Sequence, residues 1–87
     1  MVEPIEVAKA FLRRNGMVKF MGQRAISGED GSTMWFFRGA VIPNKKAIRC
    51  LIRQEADGRM HSPVIVNRSE KNRLTKPRIE EPAKKKE

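Results

Sequence analysis

Residues 33–53 read TMWFFRGAVIPNKKAIRCLIR, two runs rich in β-branched and aromatic residues on either side of Pro-Asn-Lys-Lys. Runs of this composition, separated by turn residues, predict two strands joined by a tight hairpin. A strand sends successive side chains to opposite faces. One face then carries Trp35, Phe37, Gly39 and Val41 with Ile48, Cys50 and Ile52, and the other carries Met34, Phe36 and Arg38 with Arg49, Leu51 and Arg53. The first set is apolar and reads as core. The second threads guanidinium groups through large apolar side chains, the chemistry a surface needs to stack bases and neutralise phosphates.

Outward from this hairpin the same logic predicts strands over 17–26 and 59–67 as well as 33–42 and 46–54. The connections SGEDGS, PNKK and EADG are too short for the crossover that parallel pairing requires, so the strands should form an antiparallel meander in chain order. A two-residue turn at Asn44-Lys45 would set Val41 opposite Ile48, Gly39 opposite Cys50 and Phe37 opposite Ile52, which places Phe36 beside Arg53 and Arg38 beside Leu51. A three-residue turn at Ala56-Asp57-Gly58, with Gly58 left-handed, would set Cys50 opposite Val64 and Ile48 opposite Val66. The simplest closure of residues 27–32 sets Phe20 opposite Gly39 and Gly22 opposite Phe37. It assigns Val18 and Ile26 to the core and Lys19, Met21 and Gln23 to the mixed face, with His61 and Ile65 joining that face from the last strand. Trp35 falls on the core side next to Arg24. Pro63 has no N–H for a ladder and marks the last strand as an edge, open to pairing with a partner or with a second copy as a homodimer. A sheet that curled into a half-barrel would instead gather Met21, Phe36, Leu51 and Ile65 into a second apolar cluster.

The N-terminal stretch VEPIEVAKAFLRRNG predicts one short amphipathic helix. Pro4 suits a first turn, Glu3 and Glu6 suit the positive end, Arg13 and Arg14 suit the negative end, and Asn15-Gly16 supplies a stop. Ile5, Ala8, Phe11 and Leu12 form its apolar stripe. The fold class is therefore α+β: a short N-terminal helix packed on a four-stranded antiparallel meander.

The chain has 87 residues, with 19 Lys and Arg against 10 Asp and Glu, enough for one small core. Of its Leu, Ile, Val and Phe residues only Leu74 and Ile79 lie beyond residue 67. Residues 1–67 accordingly read as the folded domain and residues 68–87 as a disordered basic tail ending in Lys-Lys-Lys-Glu. Both parts carry excess positive charge, which favours nucleic acid or an acidic protein as partner. The stretch Ile5 to Leu12 is interrupted by Glu6 and Lys9 and suits neither a signal peptide nor a membrane span, so no membrane association is expected. A single cysteine, Cys50, gives no internal disulfide, and a reduced, cytoplasmic setting is expected.

Glu29 and Asp30 between glycines lack the alternating ligands of a calcium loop, and there is no metal-spaced Cys/His pair, phosphate loop or catalytic triad. No cofactor and no enzymatic activity are expected. The expected function is nucleic-acid binding through Lys19, Phe36, Arg38, Lys45, Lys46, Arg49, Arg53 and His61, aided by the polybasic tail. The alternative is a small adaptor or inhibitor that docks the same face, or the edge strand, on an acidic protein.

Overall fold

The structure, a computed structural model, describes residues 2–42 and 46–75. In chain order it comprises α1 (Pro4–Arg14), β1 (Lys19–Ser27), β2 (Thr33–Val41), β3 (Lys46–Gln54), β4 (Val64–Val66) and α2 (Arg68–Thr75). The four strands form one antiparallel sheet in the order β1-β2-β3-β4. The sheet is open and does not close into a barrel.

α1 begins with Pro4 in its first turn and ends as its sequence requires. Gly16 adopts φ +103°, Met17 N–H donates to the Leu12 carbonyl (2.9 Å) and Gly16 N–H to that of Arg13 (3.1 Å). This left-handed cap turns the chain back toward the sheet, where Ala8 and Leu12 are fully buried against Met17, Phe37, Cys50 and Ile52. Trp35 stacks on Phe37 at 6.2 Å with 9° between the rings and donates from Nε1 to Gln54 Oε1 (3.0 Å). A Cβ at Gly39 would overlap the buried Met17 side chain, which would have to move to admit it.

Three features of register differ from expectation, each for a local reason. The β2–β3 ladder closes at Val41↔Lys46, so Gly39 pairs with Ile48 and Phe37 with Cys50, two residues from the expected alignment. With Val41 and Lys46 as the closing pair, four residues separate the two strands instead of the two of the expected turn. A slip of two leaves every residue on its expected face and changes only its neighbours.

In β1, Phe20 pairs with Gly39 as expected, but a bulge at Met21 sets Gly22 against Arg38 and Gln23 against Phe37. The extra residue inverts the alternation beyond it. Arg24 and Ile26 therefore lie on the face away from α1, Gln23 lies on the α1 face, and Ala25 rather than Arg24 is the neighbour of Trp35.

Gly58 does take a positive φ (+98°), and Glu55 N–H donates to the Arg59 carbonyl (2.8 Å). After the isolated bridge Gln54↔Met60, however, the ladder resumes only at Val64, with Leu51↔Val64, Cys50↔Ile65 and Arg49↔Val66. Passage through Pro63, which has no N–H, costs one residue of register. Val64 and Val66 thereby change to the face away from α1, and Ile65 to the α1 face.

That second face has its own cluster: Phe36, Leu51 and Val66 are buried, and Ile26, Met34 and Leu74 pack on them. Leu74 comes from α2, eight residues of the stretch expected to be a disordered tail. Asn67 caps α2, its Oδ1 accepting from Glu70 N–H at 2.7 Å. Asn at the cap with Glu three positions later is the sequence mark of a helix start. The rest of the expected tail, 76–87, lies outside the described residues.

Phe37→Ala should cost ~3–5 kcal/mol, and Phe36→Ala should also be strongly destabilising because both rings are buried. Urea unfolding of the two variants beside the parent measures this; a near-neutral Phe36→Ala would mean that α2 does not cover the second face.

Burial pushes the Cys50 thiol up from 9.0 to about 11. The unfolded chain loses that proton first, so the thiol's contribution to stability is intact below pH 9 and is lost as pH rises toward 11. The parent should lose more stability than Cys50→Ala across that window.

Candidate nucleic-acid interface

The face away from α1 is built in cross-strand rows. One runs Ile26, Met34, Arg53; the next Arg24, Phe36, Leu51, Val64; the next Gly22, Arg38, Arg49, Val66; and Lys19 stands at the end, opposite Ala40. Apolar residues occupy the middle under α2, and arginines surround them. The two-residue slip in the β2–β3 ladder sets Arg38 directly opposite Arg49. Like charges in such a pair repel. The Arg49 guanidinium is held below its ordinary pKa, first by burial, then by the charges of Arg38 and Arg68.

Lys71 of α2 reaches the same place. With Arg24, Arg38 and Arg49 it lines a groove whose walls also include Gly22 and Phe36. The Arg59–Asp57 ion pair (2.9 Å) and the His61–Glu55 contact (2.6 Å) formed among the described residues involve none of these cations.

Of the residues expected at the site, Arg38 and Arg49 are brought together, and Lys19 shares their face. Arg53 also shares it but sits at the far end, in a hollow with Met34, Glu29 and Asp30. Asp30 Oδ1 accepts from Ser32 N–H (2.9 Å) and Oγ (2.6 Å), and these bonds, the side-chain one foremost, hold its carboxyl below the ordinary range.

Phe36 does not serve as expected. It is 3% exposed, closed over by its own cluster, and offers no ring face to a base. Lys46 pairs with Val41 and falls on the α1 face, away from the arginines. His61 Nε2 is engaged by Glu55 Oε2 at the rim. Lys45 lies outside the described residues.

Arg24, Arg68 and Lys71 were not anticipated. Gly22 inside a strand pattern was the signal for the bulge that delivers Arg24, and the Asn67–Glu70 cap was the signal for the helix that presents Arg68 and Lys71.

Among the described residues no group of three or more His, Cys, Asp or Glu could hold a metal ion, and no helix is long and apolar enough to cross a membrane. No protein-family model matches the chain, and comparison with curated proteins and with solved structures finds no match either. Fold and site together describe a small α+β protein with one cationic, apolar-floored sheet face.

Arg49→Gln removes half of the repulsive pair and should raise stability by about 0.5 kcal/mol at low ionic strength. The gain should shrink as salt screens the parent's repulsion. Thermal unfolding across a salt series measures it, and a variant less stable than the parent at low salt would show that Arg49 is held by attraction instead.

Proposed function

We propose that the chain is a non-enzymatic nucleic-acid-binding protein that grips the phosphate backbone with Arg24, Arg38, Arg49, Arg68 and Lys71, flanked by Lys19 and Arg53. The observation that carries this reading is the Arg38–Arg49 pair. Two arginines stand opposite each other on neighbouring strands, with a third arginine and a lysine lining the same groove, and none of them forms an ion pair with a carboxylate of the described residues. A polyanion relieves that repulsion, and release of its counterions drives binding. The net charge of +9 and the further basic residues beyond 75 add steering at longer range.

Because Phe36 is buried, base stacking drops out of the mechanism. Recognition through phosphates alone is tolerant of sequence, and single strands gain no advantage from an aromatic platform.

A second reading has its own observation. Val64 on the cationic face and Ile65 on the α1 face of the edge strand β4 are both about half exposed, and an acidic protein could dock along that edge by adding a strand.

Salt titrations of binding to single- and double-stranded DNA and RNA separate the two. Affinity for nucleic acid should fall log-linearly with salt, and Arg24→Gln, Arg38→Gln or Arg49→Gln should each lower the slope by about one for every phosphate the variant no longer neutralises. A folded triple variant that binds every nucleic acid as well as the parent would remove the face as the site and leave the acidic-protein reading in front.

A further inference from the structure

α2 docks against its own charge. It is eight residues long, short for a helix to persist without tertiary support, and it brings Arg68 and Lys71 toward a sheet face that already carries Arg24, Arg38 and Arg49. Its apolar contact with the second cluster is Leu74. Between α2 and the sheet lies a cavity of about 230 Å³, several times the ~30 Å³ share of one water.

Gly22 forms part of its wall. Unlike at Gly39, a Cβ built there meets nothing within 4 Å, and its backbone is not in the left-handed region. A side chain at this position would project into free space beside the guanidinium groups, so the glycine keeps room for something other than the protein.

We propose that this groove is a site for one phosphate group, held by Arg24, Arg38 and Arg49 from the sheet and Lys71 from α2, and that its occupancy locks α2 onto the sheet. The inference rests on reading the face as anion-binding and goes beyond it by assigning a discrete pocket and a coupled helix. A dianion placed among these cations turns repulsion between helix and sheet into a bridge. Burial and the neighbouring Arg38 and Arg68 already disfavour the lone charge on Arg49, and an anion relieves the same group. The ligand stabilises the docked state, and by reciprocity anything that loosens α2 weakens the ligand.

The phosphate belongs either to a nucleic-acid backbone or to a free phosphorylated molecule, and the test separates them. Inorganic phosphate is titrated into the full chain at constant ionic strength balanced with chloride, while backbone amide resonances and the unfolding temperature are followed. Saturable shifts should occur together in β2, β3 and α2, with a rising unfolding temperature.

Gly22→Val should leave the phosphate-free unfolding temperature close to the parent's and weaken phosphate binding at least about tenfold. Leu74→Ala, which does not line the groove, should also weaken binding by loosening the helix. Shifts no larger than chloride produces, saturation without change in α2, or undiminished binding by Gly22→Val would each overturn the proposal.

The same samples are tested with duplex DNA and RNA. Salt-dependent duplex binding without phosphate saturation would sink the pocket and leave nucleic-acid binding standing. Phosphate saturation with no nucleic acid bound at low salt would sustain the pocket, assign it to a free phosphorylated molecule and remove the nucleic-acid reading.

Discussion

Phe36 and Phe37 are consecutive residues of a central strand, and a strand sends consecutive side chains through opposite faces of the sheet. Both rings are buried. The sheet therefore needs a cover on each side, and the chain has one good helix to offer. α1 lies over Phe37 with an apolar stripe that ends in Leu12 and a glycine cap that returns the chain to the sheet. For Phe36 the cover is made from smaller parts: Leu51 beside it, Val66 from a three-residue edge strand and Leu74 from a short second helix. The two sides differ in kind, one a core under a helix, the other a patch of apolar floor ringed by charge.

Irregularities in the sheet decide what that ring contains. Without the bulge at Met21, Arg24 would stand beside Trp35 over the α1 core and the cationic face would lose a member. Had the β2–β3 ladder closed with a two-residue turn, Arg38 would lie against Leu51 and Arg49 would have no arginine opposite it. Each device is a local departure from regular pairing, and each brings positive charges closer together at some cost in stability. A fold selected for stability alone would separate those charges or place a carboxylate between them. Glu29 and Asp30 instead sit at the far end, in the hollow with Arg53, where Asp30 is occupied with its own turn.

α2 joins the structural and the electrostatic sides of the molecule. The helix that completes the cover of Phe36 also carries Lys71 into the groove and Arg68 close enough to perturb Arg49. A cap at Asn67 starts the helix, and the packing of Leu74 holds it on the sheet, opposed by like charge. Docking of such an element responds to anions, because the term opposing it is the one an anion removes.

The sequence by itself determined the helix, the meander order and the assignment of β2 and β3 side chains to their faces. These follow from local chemistry: apolar period, glycine and proline punctuation, and loops too short for a crossover. It also marked Arg38 and Arg49 as members of one surface, since a register error of two leaves alternation intact. Only the tertiary structure decided whether Phe36 was a platform or a floor, because burial depends on what arrives from elsewhere in the chain, here Leu74 and Val66. Only the tertiary structure brought in Arg24, since one bulged residue inverts every side chain beyond it while leaving composition and periodicity almost unchanged. The same holds for Val64, Val66 and Ile65 across Pro63. Face membership is a parity, and parity accumulates along a strand, so a single unpaired residue is enough to change which charges meet.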